Sequence, residues 1–199
     1  DELLTLHGHR SAGRVLEDPV RLSTLLVAVA LPLGASQGVD TLAAACAGAV
    51  VLAIVATGGR AIGPLFVATT VGLAAASPVL LQRLGTAAAL FLFLFAAAYD
   101  AGDFLIGTGA HASWEGPAAG AATVAVVAFG GLVISPPPLD EHGVIALAAA
   151  VAVFAPLGPL VGSVLIGDGT TRARFVRRID SLLVAGPVAA YVVTAVLSR

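Results

Sequence analysis

The chain has 199 residues, of which 58% are hydrophobic and only 11% charged, and its formal net charge at pH 7 is −2. A soluble domain carries about 25% charged residues, so this composition excludes a soluble globular enzyme, whose polar surface could not cover so much apolar area. The composition predicts a polytopic membrane protein, and the weak negative charge argues against binding to nucleic acid, which needs a basic surface.

Seven apolar segments are candidates for membrane-spanning helices, each of which needs about 20 apolar residues. In chain order they cover residues 22–38, 41–58, 61–81, 84–98 with an extension to 107, 117–135, 143–166 and 181–197. The sequence therefore predicts an all-α, polytopic helical bundle of about seven transmembrane helices. We divide it into an N-terminal segment 1–21, a first group of helices 22–98 and a C-terminal region 99–199. Because the chain begins at Asp1, we also expect a further segment upstream.

Arginine supplies all of the basic charge, and its distribution predicts the orientation. With the N-terminus in the cytoplasm, two arginines lie outside, Arg83 and Arg199. Eight then lie inside: Arg10, Arg14, Arg21, Arg60, Arg172, Arg174, Arg177 and Arg178. Loops rich in Arg and Lys stay in the cytoplasm. We therefore expect a multi-pass protein of the cell (inner) membrane, with the N-terminus and the arginine-rich loop 167–180 in the cytoplasm.

Two acidic residues, Asp100 and Asp103, interrupt the fourth apolar segment. A charge at the centre of a bilayer costs about 2.5–3.5 kcal/mol on insertion scales, and such residues usually face the bundle interior or a wet cavity. One interpretation is that they contact a metal ion, a proton or a lipid headgroup. The alternative is that Asp100 ends the fourth span at the membrane interface.

The run Trp114-Glu115-Gly116-Pro117 precedes the fifth apolar segment. Proline suits the first turn of a helix, and an acidic side chain there is stabilised by the helix dipole. The run therefore predicts a helix start at the interface. The pairs Gly116–Gly120 and Gly158–Gly162 have the spacing of small residues that allows close helix packing in membranes.

The densest cluster of charge precedes the last apolar segment and contains Arg172, Arg174, Arg177 and Arg178, followed by Asp180. It is open to two interpretations. The arginines are positive-inside residues, or they form a patch that binds the phosphate groups of a lipid or nucleotide, for which the guanidinium fork is well suited.

Four blocks in order, within about residues 99–193, resemble the CDP-diacylglycerol synthase (phosphatidate cytidylyltransferase) family. Asp100-Ala-Gly-Asp-Phe104-Leu-Ile-Gly107 is similar to the family's Asp-x-x-Ala-Tyr-Phe-x-Gly, and Ser113-Trp114-Glu115-Gly116 with Gly120 to its Thr-Trp-Glu-Gly-x-x-x-Gly. Leu157-Gly158-Pro159-Leu160-Val-Gly-Ser163 is similar to Leu-Gly-Asp-Leu-x-x-Ser. Arg178-Ile179-Asp180-Ser181 is similar to the end of the Asp-Arg-x-Asp-Ser signature.

The resemblance implies transfer of a cytidylyl group from CTP to phosphatidic acid, with release of pyrophosphate and with Mg²⁺ as cofactor. It implies catalytic roles for Asp100, Glu115 and Asp180, and metal binding by Asp180 and Asp168. The residues implied in binding substrate or phosphate are Trp114, Ser163, Arg172, Arg174, Arg177 and Arg178.

The sequence departs from the family pattern at positions that carry charge. Pro159 stands in place of an acid, Arg177 in place of another, and His111-Ala112 in place of a Lys pair. The alternative is therefore a catalytically inactive relative, without a cofactor, that binds anionic lipid headgroups or a partner, either a second copy or another membrane protein. A small transporter with Asp100 and Asp103 on its path is a third hypothesis, although the spans contain few other polar residues.

Overall fold

A computed structural model describes residues 19–58, 62–166 and 180–197. The described residues form eight α-helices and one 3₁₀ turn, without strands. The helices are α1 (Pro19–Gln37), α2 (Val39–Thr57), α3 (Ile62–Leu84), α4 (Thr86–Gly107), α5 (Glu115–Ile134), α6 (Glu141–Phe154), α7 (Gly158–Ile166) and α8 (Asp180–Leu197), with the 3₁₀ turn Ala155–Leu157 between α6 and α7. The described chain is therefore all-α.

Seven helical segments are long and apolar enough to cross a membrane. Six of them are single helices, and the sixth in chain order, Glu141–Ser163, comprises α6, the 3₁₀ turn and part of α7. The prediction of an all-α polytopic bundle with about seven transmembrane helices is confirmed, and the protein is an integral membrane protein by this criterion.

The helix of the fourth apolar segment does not end at Asp100. Helix α4 continues through Asp100 and Asp103 to Gly107, because its last turns pack closely on α5. A Cβ atom on Gly102 would meet the side chain of Thr123 and would lie 2.7 Å from the carbonyl oxygen of Ala119. Both aspartates therefore belong to a packed helix, as the extension of the fourth apolar segment to residue 107 predicts, and the interpretation that the membrane interface lies at Asp100 stays a prediction.

The sixth span was predicted as one helix over 143–166, and the structure differs in two respects. It begins at Glu141, where the N-cap Asp140 accepts a hydrogen bond at 2.7 Å from the amide of Gly143. It then breaks at the 3₁₀ turn Ala155–Leu157. Pro156 and Pro159 have no amide hydrogen to donate within the helix, which explains the break inside an otherwise apolar run.

Helix α8 packs against α3, α6 and α7, while α4 pairs with α5, and α1 packs on α2 and α3. Because successive spans alternate in direction, α4 and α7 end where α5 and α8 begin, and we call this end of the bundle the site end. At the opposite end, Arg83 Nη1 donates to the carbonyl of Ser36 at 2.5 Å and ties α3 to the end of α1.

Candidate functional site

A hydrogen bond between α4 and α8 joins the first and last of the four sequence blocks. The hydroxyl of Ser181 donates to Asp100 Oδ2 at 3.1 Å across 81 residues of sequence. Ser181 is 4% exposed whereas Asp100 is exposed, so this contact lies at the edge of the bundle core. A bond to a carboxylate is stronger than one between neutral groups, and it fixes the orientation of the Asp100 side chain.

The glycines of the third block allow the start of α8 to approach α7. A Cβ atom on Gly158 would meet the backbone carbonyl of Asp180, and one on Gly162 would lie 2.8 Å from Asp180 Oδ1. The absence of side chains at both positions therefore lets the Asp180 carboxylate lie directly against α7. The packing role predicted for this glycine pair is confirmed, and its partner is the first turn of α8.

The glycines of the second block have the same effect between α5 and α4. A Cβ atom on Gly120 would lie 2.8 Å from ring atoms of Tyr99, and one on Gly116 would meet the carboxylate of Asp103. Tyr99 is 3% exposed. The start of α5 is thereby held against the end of α4, and the side chains of Tyr99 and Asp103 lie between the two helices.

Glu115 occupies the first turn of α5, as the sequence predicts for a helix start. Its Oε1 accepts a hydrogen bond at 3.1 Å from the amide of Ala112 in the preceding loop. This bond satisfies a backbone donor beside the helix start, as in a capping box. Glu115 thus holds the loop, while the neighbouring Trp114 is 68% exposed at the end of the bundle.

A cavity of about 490 Å³ opens between α4, the loop to α5 and the break in the sixth span. Its walls include Tyr99, Asp103, His111, Ser113, Pro156 and Pro159. Ligand sites for small molecules have volumes of about 300–1,000 Å³, so the cavity is large enough for one. Each of the first three sequence blocks contributes to its walls, and the fourth lies next to Asp100, one helical turn away from Asp103.

The structure brings together some of the predicted site residues and separates others. Asp100 lies at the contact of α4 with α8, Asp180 lies at the contact of α8 with α7, and Glu115 lies at the start of α5. Ser163 is exposed and its hydroxyl donates to the carbonyl of Leu160 at 2.7 Å, within its own helix. The remaining predicted residues lie outside the described part of the chain: Asp168, Arg172, Arg174, Arg177 and Arg178.

Two residues of this site, Tyr99 and Ser181, were not among the predicted contacts, whereas Asp103 was predicted together with Asp100 as a contact for a metal ion, a proton or a headgroup. Ser181 orients Asp100, Tyr99 fills the contact of α4 and α5, and Asp103 forms a wall of the cavity. The only sequence signal for Tyr99 and Ser181 is that each lies next to Asp100 or Asp180. Their contacts arise from helices that are far apart in the chain.

The carboxylates of Asp100 and Asp180 are the kind of donor that Mg²⁺ prefers. In the described ranges, no three His, Cys, Asp or Glu side chains come close enough together to hold a metal ion. Mg²⁺ is usually held by one or two carboxylates together with water and substrate phosphates. An ion held at Asp100 or Asp180 would therefore take most of its ligands from water and a phosphorylated substrate rather than from the protein.

Comparison with protein-family models, with curated proteins and with solved structures finds no match to this chain. The functional assignment is therefore based on the chain's own residues. The main observation is that four sequence blocks, which lie between Asp100 and Ser181, come together at one end of the bundle.

Proposed function

We propose that this integral membrane protein transfers a cytidylyl group from CTP to phosphatidic acid, forming CDP-diacylglycerol and pyrophosphate. The observation that carries the proposal is the hydrogen bond between Ser181 and Asp100, at 3.1 Å. The resemblance to phosphatidate cytidylyltransferases uses only the order of four blocks in the sequence. A direct contact between the first and last of them is what a shared site requires.

The position of the site suits a reaction between a water-soluble nucleotide and a lipid. It lies at helix ends, beside a cavity of about 490 Å³. In the proposed reaction, an oxygen of the lipid phosphate attacks the α-phosphorus of CTP, and pyrophosphate leaves with the electrons of the broken bond. Bound Mg²⁺ would neutralise phosphate charge in this reaction, and Asp100 and Asp180 are the residues that would hold it.

The chain's own residues hold these two carboxylates in place. Ser181 fixes Asp100 through its hydrogen bond, and Gly162 leaves room for Asp180 against α7. Glu115 keeps the loop beside the cavity in position. The residues that we expect to bind phosphate groups are the arginines that precede Asp180 in the sequence, Arg172, Arg174, Arg177 and Arg178.

A second candidate function is binding of anionic lipid headgroups without catalysis or metal. Two observations favour it. Pro159 lines the cavity at the position where the resembling family carries an acid, and the described residues include no group of three metal-binding side chains. In this case the basic loop would attract anionic lipid, at about 1 kcal/mol for each arginine near the membrane surface.

The deciding experiment measures conversion of CTP to CDP-diacylglycerol by purified protein in liposomes that contain phosphatidic acid, with and without Mg²⁺. We expect the wild type to require Mg²⁺ and Asp180→Asn to lose activity by roughly 100-fold or more, since the Lewis-acid contribution of a metal is several kcal/mol. Asp140→Asn is the matched control. It makes the same substitution at the opposite end of the bundle, where asparagine can still cap α6, and should leave conversion unchanged.

Equal conversion by wild type and Asp180→Asn would contradict the role of Asp180. If folded wild-type protein does not convert CTP but binds anionic liposomes, the second candidate function is supported. Binding to anionic liposomes should weaken as the salt concentration rises, since salt screens exposed charges. Binding that does not depend on salt would contradict the second candidate function.

A further inference from the structure

The cavity has one acidic wall residue, Asp103, among its described lining residues. Asp103 lies on α4 one helical turn beyond Asp100, which corresponds to about 4.5 Å along the helix axis. Within the described residues, no hydrogen bond to its carboxylate is found. An ionised carboxylate only accepts hydrogen bonds, so this wall of the cavity offers an acceptor to whatever enters.

The packing around Asp103 leaves room for its carboxylate at the cavity wall. A side chain on Gly116 would collide with Oδ1 of Asp103, so the glycine at the start of α5 allows the acid to occupy this position. The other walls include the rings of Tyr99, Pro156 and Pro159 and the hydroxyls of Thr108 and Ser113. Apolar walls with a few polar groups are typical of sites that bind small molecules, and the rings of this lining offer surfaces on which a planar base can pack.

We propose that the cavity binds the base of the nucleotide, and that Asp103 accepts a hydrogen bond from the exocyclic amino group of cytosine. This inference rests on the proposed function, which supplies CTP as the ligand. Aspartate is a suitable partner for the amino group of cytosine. Uracil carries a carbonyl oxygen where cytosine carries this amino group. In the same orientation, that oxygen and the Asp103 carboxylate would be two hydrogen-bond acceptors facing each other, without a donor between them.

The placement along α4 agrees with this assignment. Asp103 lies nearer to the end of the helix than Asp100 does, and the loop that follows α4 also lines the cavity. A base held at Asp103 would direct the phosphates of the same nucleotide towards Asp100, one turn farther from the end of α4, and towards Asp180 beside Ser181. Asp103 is therefore a specificity residue for the base, whereas Asp100 and Asp180 belong to the phosphate end of the site.

The test is the ratio of dissociation constants for CTP and UTP, measured by titration calorimetry on the purified protein with Mg²⁺. We expect the wild type to bind CTP at least about tenfold more tightly, since an unpaired buried acceptor costs 1–3 kcal/mol. Asp103→Asn should bring the two constants within about threefold, because an amide can either donate or accept. Asp40→Asn, on α2, is the matched control and should keep the wild-type ratio.

The ratio does not depend on the fraction of protein that is folded, because unfolded protein lowers the number of sites for both nucleotides alike. Equal binding of CTP and UTP by the wild type, or an unchanged preference in Asp103→Asn, would overturn the assignment of the base while leaving nucleotide transfer intact. Wild-type protein that binds neither nucleotide would overturn both this inference and the proposed function.

Discussion

Gly158 and Gly162 determine how closely α8 can approach α7. Both lie on the face of α7 that meets Asp180, where the nearest atoms are the backbone carbonyl and the carboxylate of that residue. A backbone carbonyl cannot move aside as a flexible side chain can. The two glycines therefore couple the packing of the bundle to the position of a proposed catalytic carboxylate.

We expect Gly158→Ala to lower the free energy of unfolding by about 1–3 kcal/mol, the usual cost of overpacking a well-packed contact. The added methyl group would collide with the Asp180 carbonyl. Thermal or denaturant unfolding in detergent measures the change.

Gly130→Ala is the matched control, because a Cβ atom at that position meets no atom within 4 Å. Alanine is a better helix former than glycine by about 0.5–1 kcal/mol, so this variant should be as stable as the wild type or slightly more so. Equal stability of the two variants would argue against close packing at Gly158.

The residues of the site differ in how far the sequence alone could identify them. Asp100, Glu115 and Asp180 stand within short motifs, and the sequence analysis selected all three. The partner of Asp100 could not be predicted, because Ser181 reaches it only after α4 and α8 have packed together across 81 residues of sequence. The contact of Glu115 with the loop amide of Ala112 could not be predicted either, and its catalytic role stays a prediction.

At the scale of single helices, the sixth span shows where hydropathy is insufficient. The apolar pattern is continuous from Gly143 to Ile166, so it predicts one helix, but hydropathy does not record which residues can donate a backbone hydrogen bond. Pro156 and Pro159 cannot, and the helix breaks between Phe154 and Gly158. This break supplies a wall of the cavity, so the departure from a regular helix coincides with the candidate site.

The start of the same span depends on one capping side chain. Asp140 accepts a hydrogen bond at 2.7 Å from the amide of Gly143, and we expect Asp140→Ala to lower the free energy of unfolding by about 1 kcal/mol. Asp140→Asn should cost much less, since asparagine caps helices about as well as aspartate. Unfolding curves of the two variants in detergent make the comparison, and equal losses would indicate that the charge matters rather than the cap.

For the whole molecule, the number of spans could be predicted and their arrangement could not. Span number follows from local hydropathy, which the sequence records directly. Helix pairing depends on close contacts of small residues. Small residues are so common in this chain that their positions do not show which helices pair. Gly72, for example, packs against Leu31 and Ala28 of α1, while Gly48 has open space around it, although both lie in similar apolar runs.

The orientation predicted from the arginines is a property of the whole molecule and can be tested by labelling. Cysteines would be placed at Ser113 in the loop of the site end, and at His142 beside the opposite end, in a Cys46→Ala background. Both wild-type side chains are exposed. On intact cells, a membrane-impermeant maleimide should label His142→Cys, and it should label Ser113→Cys only after permeabilisation. The reverse pattern would place the candidate site outside the cytoplasm.

Helix α2 packs on α1 and only slightly on α3, and just 6% of its apolar window is buried within the chain. Its 19 residues span about 28 Å, close to the roughly 30 Å hydrocarbon thickness of a bilayer. In a single chain, acyl chains therefore solvate the face of α2 that is turned away from α1. A bilayer with longer acyl chains creates a hydrophobic mismatch, to which helices respond by tilting or by deforming the bilayer. Lipid chain length should consequently act first on α2, which contacts little besides α1, rather than on helices such as α4 and α5 that pack closely on each other.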